Sequence, residues 1–348
     1  MSAASTKTHG SVGAPSASRG TDIRRSLIKR YLQRPEMAGL FLLVLLIFVF
    51  QFQSGGIFLT QDNMRGVLAL APEIAIVVVG VTLLMICGEF DLSVGSVFAL
   101  TPMCLALMLN DGWSFAAALP ACLAIAVVCG LINGGLTIFT GIPSFIVTLG
   151  TLYMARSLTI VLSGGFPPLL PVDLPTWAFS GPLWAGSIFR MSFVWFLLVS
   201  GVVAYILGRW NFGNWIRASG GAKEAALALG VPVTRVKLAA FALSSLLAGF
   251  AGVIQVLRLG TPFPSIGEGL ELQAISAAVI GGAALTGGIG TVLGAIVGAL
   301  LIRAIDNGMV LSGIDANWFK FAIGFLTVFA VISNGWLRRK AANIKVSR

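Results

Sequence analysis

The sequence predicts an all-α polytopic membrane protein. The chain is 57% hydrophobic and only 10% charged over 348 residues, whereas soluble domains carry about 25% charged residues. Apolar runs of roughly 17–25 residues, the length of a helix that spans the hydrocarbon core, recur along the chain. Its 42 glycines suit the close packing of membrane helices, in which small residues let backbones approach.

The apolar runs predict about ten transmembrane helices. The runs at 93–109 and 271–286 are short and flanked by glycine, so we expect them to be broken or re-entrant segments. The ten predicted spans lie at 38–53, 67–87, 93–109, 115–139, 142–162, 191–209, 238–257, 271–286, 292–311 and 318–336.

The distribution of basic residues predicts that both termini are cytoplasmic, because cytoplasmic loops carry an excess of Lys and Arg. Seven of the 23 Lys and Arg residues lie in 1–37, five in 209–237 and five in 337–348. An even number of spans places these three segments on one side of the membrane. The net charge of +10 therefore indicates topology and contact with an anionic lipid bilayer, and it does not indicate nucleic-acid binding.

The same pattern divides the chain into three regions. We expect a disordered basic cytoplasmic tail at 1–36, because its first part is rich in Ser, Ala, Gly and Thr. A transmembrane domain follows at 37–337, with a long cytoplasmic loop at 208–237. A second basic cytoplasmic tail covers 338–348.

Two carboxylates interrupt the apolar sequence at 86–96, which reads ICGEFDLSVGS. Acidic residues inside a membrane are costly, by about 2.5–3.5 kcal/mol for Asp at a helix centre, and persist where they face water, a partner or a substrate. One interpretation places this segment in a translocation path or gate. The other has it ending one helix and capping the next, with Asp91 or Ser93 as N-cap. The candidate gate residues are Glu89, Asp91, Ser93 and Gly95.

Other polar residues within predicted spans could line a polar path or join helices by hydrogen bonds. The candidates for a path are Asn133, Gln255 and Asn307. Arg303 and Asp306 are three residues apart and can pair on one helix face. A second glycine-rich break, GGAALTGGIGT, lies at 281–291.

The loop at 208–237 is much longer than the two to eight residues that connect antiparallel helices. Its middle predicts a short helix from Ala222 to Leu229, ended by Gly230. Ala225, Ala226, Leu229 and Val233 would form its apolar side. A helix of about two turns is marginal alone in water, so it needs a surface on which to dock, either the lipid or a soluble partner.

Catalytic and metal-binding patterns are missing from the sequence. The one histidine is His9 in the tail, and there is no HExxH, no Cys/His ligand cluster and no GxSxG. There is also no phosphate-binding G-x-x-x-x-G-K-[ST] loop. We therefore expect no catalytic residues, no metal site and no bound cofactor in this chain, so any ATP that drives it is bound by another polypeptide.

Three motifs together resemble the permease subunits of ABC-type simple-sugar importers, the ribose and xylose permease family. GEFDLSVGS resembles the family's GGIDLSVGS, with Glu89 and Phe90 in place of Gly-Ile. ASGGAKEAALALGVPVTRVK resembles its cytoplasmic coupling segment, and AISAAVIGGAALTGGIGTVLGAIVGAL its C-terminal signature. The resemblance is collinear over roughly residues 60–335.

This resemblance implies a transport subunit of the bacterial inner membrane that moves a monosaccharide or related polyol. ATP and Mg²⁺ would be bound by a separate ABC ATPase subunit, a periplasmic sugar-binding protein would deliver the sugar, and a second permease copy would form a homodimer. The residues implied to couple the chain to the ATPase are Gly220, Gly221, Lys223, Glu224, Ala225, Leu229 and Gly230.

An ion-coupled secondary transporter of a small polar solute is the alternative. Such a carrier would use a buried acid, Glu89, Asp91 or Asp306, as its ion site. It does not need a thirty-residue loop with an isolated helix.

Overall fold

The computed structural model describes residues 36–171 and 173–343. The predicted disordered tail, apart from Glu36, and residues 344–348 of the second tail lie outside this range. Contacts divide the chain into a unit of residues 35–334 and a second unit made of 1–34 and 335–348. Of the second unit, the structure describes the helical residues 335–343. Everything below concerns the first unit unless the last helix is named.

Each of the ten predicted spans coincides with a helix. Two further helices, α7 and α8, lie in the long loop. In chain order the described helices are α1 Glu36–Gln53, α2 Gln61–Ile86, α3 Val94–Asn110, α4 Phe115–Thr140, α5 Ser144–Leu162, α6 Met191–Arg209, α7 Asn211–Gly221, α8 Lys223–Ala228, α9 Val233–Leu259, α10 Leu270–Ile280, α11 Val292–Leu311 and α12 Trp318–Asn343.

The helices confirm an all-α fold of the polytopic membrane type. Within the described residues, seven helices are long and apolar enough to cross a bilayer, judged by length and composition: α1, α2, α4, α5, α6, α9 and α11. The two segments predicted to be short are short, since α3 has 17 residues and α10 has 11. The apolar part of α12 is also short, at Trp318–Ser333.

Two helices form the centre of the domain. In α2 and α9, 78% and 72% of the most apolar window is buried, against 17–28% in α1, α4, α5 and α6. α9 packs against α2, α3 and α4. The peripheral helices therefore offer their apolar faces to lipid or to another chain, while α2 and α9 face protein on nearly all sides.

Helix α12 continues to Asn343, seven residues beyond the predicted span and into the segment predicted as a basic tail. The residues there, LRRKAAN, favour a helix and contain no glycine or proline. The hydropathy pattern therefore marks where the apolar part of this helix ends, but not where the helix itself ends.

Candidate functional site

Three separate segments of the chain meet at one point: the end of α2, the end of α7 and the glycine-rich break at 281–291. The Gly288 amide donates a hydrogen bond to the Ile86 carbonyl oxygen at 2.8 Å. Gly220 lies between them, because a Cβ there would be 2.9 Å from both the Cys87 carbonyl carbon and the Gly288 nitrogen. The contact is made by backbone alone. We call Gly88, Gly220, Gly221, Gly287 and Gly288 the glycine junction.

The glycine junction joins the two predicted breaks to the glycine pair of the long loop. A Cβ on Gly88 would lie 3.2 Å from the Gly220 Cα. A Cβ on Gly287 would lie 2.7 Å from the Gly220 carbonyl oxygen, and Gly287 has a φ of +82°, which L side chains rarely adopt. Gly220 thus contacts both breaks, and a movement of α7 acts on both directly.

Asp91 is completely buried, and donors from three elements satisfy its carboxylate. Its Oδ1 accepts hydrogen bonds from the Ser93 amide at 2.8 Å, the Ser93 hydroxyl at 2.6 Å and the Asn133 Nδ2 at 3.4 Å. Its Oδ2 accepts one from the Ser245 hydroxyl at 3.3 Å. Because a buried carboxylate is costly without such partners, these bonds fix the start of α3 against α4 and α9.

Ser93 occupies the N-cap position of α3, but its side chain makes no capping bond to the helix. It bonds instead to Asp91 and accepts a hydrogen bond from Asn133 Nδ2 at 2.8 Å. The side-chain oxygen of Asn133, Oδ1, is buried and has no hydrogen-bond partner within the described residues. This network therefore does more than end one helix and begin the next.

Glu89 forms an ion pair with Lys237, in the first turns of α9. The two side chains are 13% and 11% exposed, so the pair is largely shielded from water. The next residue is also held, since the Phe90 amide donates to the Ser144 hydroxyl at the start of α5 at 3.1 Å. The link between α2 and α3 is thus attached to α4, α5 and α9.

Two cavities flank this link. One of about 730 Å³ opens between α3, α4 and α5, and we call it the α4–α5 groove. The other, of about 320 Å³, lies beside α8, and we call it the α8 cavity. Ser93 and Asn133 line the groove, whereas Glu89 and Lys237 line the α8 cavity. Residues 89–93 therefore separate the two spaces.

The remaining described lining of the groove is apolar or neutral. Thr151, Tyr153 and Ser157 contribute hydroxyl groups, and none of the described lining residues carries a charge. The α8 cavity is more polar and includes Lys223, from α8 itself, and Thr137. The loop helix thus forms part of one wall of the space next to the Glu89–Lys237 pair.

Helix α8 ends where the sequence predicts, at a glycine in the left-handed conformation. Gly230 has a φ of +79°. The Val231 amide donates to the Ala226 carbonyl and the Gly230 amide to the Leu227 carbonyl, each at 3.0 Å. These two bonds form a Schellman motif.

The prediction of which residues form the apolar side of α8 was wrong in part. Ala226 and Val233 are buried, at 2% and 3% exposure, and pack on the domain. Ala225 is exposed and Leu229 is 84% exposed, so both point away from it together with Glu224. The 100° turn per residue separates neighbouring alanines onto different sides.

The other predicted path residues lie elsewhere. Gly95 packs against the backbone of Gly267, with a Cβ placed 2.5 Å from the Gly267 carbonyl oxygen. Asn307 exchanges two side-chain hydrogen bonds with Asn63, each 2.9 Å, and so joins α11 to α2. Gln255 lines a separate cavity beside Glu73. The structure therefore groups Glu89, Asp91, Ser93 and Asn133, but not these three.

Two charged residues have different surroundings from those expected. Arg258, which falls just beyond the predicted span 238–257 and was therefore predicted to be a loop residue, lies in the last turn of α9 and pairs with Glu73 in the middle of α2. Its Nε and Nη2 donate to the two carboxylate oxygens at 2.8 and 2.9 Å. The predicted pair of Arg303 and Asp306 is confirmed, with a distance of 2.6 Å.

Sequence reasoning missed three residues of the site. Ser245 lies within a predicted span, where the adjacent serines of ALSSLLAG were a usable signal. Lys237 was counted as a topology charge, and Ser144 was not considered. Helix α7 was also missed, because its apolar residues are few and interrupted by glycines. None of these contacts is local in sequence, so spacing alone could not reveal them.

Comparison with known proteins agrees with this architecture. The family described as branched-chain amino acid transport system / permease component matches residues 63–331. The chain belongs to this family. A probable ABC transporter permease protein, y4mJ, of Sinorhizobium fredii is 36% identical over 311 residues, covering 89% of this chain and 91% of that protein.

Further relatives carry a more specific description. The autoinducer 2 import system permease protein LsrC of Salmonella typhimurium is 33% identical over 89% of this chain and 88% of its own length. That of Shigella flexneri is 31% identical over 89% and 90%. No solved structure is a significant match. The chain is thus an ABC transporter permease, a multi-pass membrane protein and not an enzyme, and the resemblance drawn from its motifs is confirmed.

Proposed function

We propose that the chain is the membrane-spanning subunit of an ATP-driven importer that moves a monosaccharide or related polyol across a bacterial inner membrane. The α4–α5 groove is the observation that carries this proposal. Its described lining offers hydroxyl and amide groups between apolar side chains, which suits a neutral solute. An amino acid would need partners for both an ammonium and a carboxylate group, and the described lining has no charged side chain.

The proposed path runs from the groove, past residues 89–93, into the α8 cavity. Asp91, Ser93 and Asn133 hold the link in place on the groove side, and the Glu89–Lys237 pair closes the other side. Passage of a solute requires this link to move. The unpaired side-chain oxygen of Asn133, Oδ1, can accept a hydrogen bond from a hydroxyl group of the solute as it passes.

The proposed drive comes from a separate ATPase subunit, which would bind ATP and Mg²⁺ and dock on α8. Support comes from Leu229 and Glu224, which are exposed on α8 and do not line the α8 cavity. The end of α7 is attached to both breaks through Gly220. A displacement of the loop by the ATPase would therefore reach the link at 89–93.

Two further partners follow from this proposal. Tyr153 and Met154 line the groove but are 67% and 71% exposed, so one wall of the path is incomplete in a single chain. A second permease copy would complete it and give a homodimer. A periplasmic sugar-binding protein would deliver the solute to the side opposite α8.

Uptake by the reconstituted complex tests the substrate class. The permease, its ATPase and its binding protein would be placed in proteoliposomes and supplied with labelled D-ribose, D-xylose, sorbitol or L-leucine. We expect uptake of a sugar or polyol that requires ATP on the α8 side. Uptake of L-leucine alone would contradict the proposed substrate, and uptake driven by an ion gradient without ATP would contradict the proposed drive.

Co-purification tests the docking site. Leu229→Asp places a charge on the outward side of α8 and should prevent recovery of the ATPase with the permease. Leu169→Asp is the matched control, because Leu169 is 77% exposed in the loop before α6. Equal recovery of the ATPase with both variants would refute docking on α8.

A further inference from the structure

A second polar cavity lies in the middle of the membrane domain, away from the groove. It has a volume of about 190 Å³ and lies between α2, α3, α9, α10 and α11. Its polar lining comprises Glu73, Gln255, Glu268, Gln273 and Arg303. Ionisable residues within membrane segments are rare and mark functional sites by default. We call this space the Glu73 cavity.

The charges around the Glu73 cavity are paired with one another. Glu73 is 5% exposed and holds Arg258 by two hydrogen bonds. Arg303 donates from Nη1 to Asp306. These two pairs neutralise each other, and the lining charge that remains is the Glu268 carboxylate, which forms no salt bridge within the described residues. Glu268 is exposed at its edge.

Several hydrogen-bonding groups of the cavity have no partner within the described residues. The Nε–H of Arg303 is buried and unpaired. The side-chain amides of Gln255 and Gln273 line the cavity and make no hydrogen bond to a described residue. Each amide has an oxygen that accepts and a nitrogen that donates. A buried unpaired group such as the Arg303 Nε–H is unfavourable unless water or a ligand satisfies it.

We propose that the Glu73 cavity binds the transported solute, a small neutral polyhydroxylated molecule. Each hydroxyl of such a molecule both donates and accepts, and so matches two amides, a carboxylate and one guanidinium N–H. The volume is below the roughly 300–1,000 Å³ of sites for drug-sized ligands, which fits a smaller solute. This inference rests on the proposed function, since it assigns the same substrate class to a second site.

The position of the cavity relates it to the groove. Phe98 lines the Glu73 cavity and its neighbour Val97 lines the groove, so the two spaces lie on different sides of α3. Arg156 of α5 lies between them. It donates to the carbonyls of Pro264 and Ile266 at 2.7 and 2.8 Å and to that of Gly95 at 3.1 Å. Arg156 thus joins the start of α3 to the loop before α10.

Equilibrium binding tests this site. The purified permease in nanodiscs, without the binding protein, would be titrated with D-ribose, D-xylose and sorbitol by calorimetry. We expect saturable binding of at least one, and about tenfold weaker binding for Gln255→Leu and for Gln273→Leu, because each loses a hydrogen bond to the solute. Gln53→Leu is the matched control, since Gln53 is exposed at the end of α1.

The outcomes separate this inference from the proposed function. The intact complex would be assayed for uptake of the same compounds. Sugar uptake by the complex, with no saturable binding to the permease or with binding unchanged in both glutamine variants, would refute the cavity site while the function stands. Absence of sugar or polyol uptake would refute the proposed function itself. If only water occupies the Glu73 cavity, the complex will take up sugar but the permease alone will show no saturable binding, and the cavity site is refuted.

Discussion

The two glycine-rich breaks meet at one point but are held by different forces. The break at 86–96 is fixed by side chains: Asp91 accepts four hydrogen bonds and Glu89 pairs with Lys237. The break at 281–291 reaches the same point through backbone alone, with the Gly288 amide bonded to Ile86. The first break is therefore specified by polar groups, and the second by the absence of side chains.

This difference predicts different sensitivities. An added Cβ at any junction glycine except Gly221 meets backbone atoms at 3.2 Å or less, whereas only a change of hydrogen bonding or charge disturbs the link at 89–93. Both breaks depend on Gly220, because it contacts each of them. The following substitutions are ordered from the largest expected effect to the smallest.

Gly220→Ala should have the largest effect. Its Cβ would overlap the Ile86 carbonyl oxygen and lie 2.9 Å from backbone atoms of Cys87 and Gly288. Overpacking typically costs about 1–3 kcal/mol, and a direct overlap with backbone should fall at the upper end of this range. Thermal unfolding of the detergent-purified protein should show the loss. Gly221→Ala is the control, because its Cβ would lie 3.6 Å from the Gly288 Cα, an ordinary contact. Equal stability of the two variants would contradict the junction.

Asp91→Ala should come next, with a loss of about 2 kcal/mol, because it leaves buried donors of Ser93, Asn133 and Ser245 without an acceptor. Asp91→Asn should unfold at a temperature close to that of the wild type. Its amide oxygen can still accept the bonds from Ser93 and Asn133, and its amide nitrogen can donate to the Ser245 hydroxyl. We expect Asp91→Asn to insert normally but to transport poorly. Full transport by this variant would show that the charge has no part in gating.

Glu89→Gln should lower stability by about 1 kcal/mol, because it removes one charge of an ion pair that is largely shielded from water but still reached by it. Lys237→Met should have a similar effect. The double variant should lose less than the sum of the two, by about 1 kcal/mol in a double-mutant cycle. If the losses of stability in the two single variants simply add in the double variant, the ion pair makes no net contribution to stability.

Ser144→Ala should have the smallest effect. It removes the acceptor of the Phe90 amide, a single hydrogen bond worth about 0.5–1.5 kcal/mol. Unfolding experiments on this variant and on Ser157→Ala, which removes a hydroxyl from the groove wall, would measure the difference. A larger loss of stability in Ser157→Ala than in Ser144→Ala would show that the link at 89–93 does not depend on Ser144.

The fold was largely predictable because hydrophobic runs are local signals. All ten spans and the end of α8 at Gly230 agree with the structure. The site was less predictable because its contacts join distant segments. Glycines predicted a break at 281–291, but nothing in the sequence states that it meets Gly220. Glu73 lies within the predicted span 67–87, but nothing in the sequence indicates that its partner is Arg258, 185 residues away.

Charge counting also misled in two places. Lys237 and Arg258 were assigned to loops because they lie just outside the predicted span 238–257. Both instead have carboxylate partners inside the domain, Glu89 and Glu73. The positive-inside rule sorts loops by total charge, so it does not identify which cations bind an acid.

The central claim is that the long loop and the two breaks move as one body through the glycine junction. Distances between spin labels test it most directly. Labels would be placed at Trp215 on α7 and Leu285 in the second break, in a variant with Cys87, Cys104, Cys122 and Cys129 replaced by alanine. The permease–ATPase complex would be measured with ADP and in an ATP-trapped state. The claim predicts that the distance between the labels at Trp215 and Leu285 is the same in both states. The distance from either label to a label at Leu169 should change. A change in the separation between Trp215 and Leu285 would contradict it.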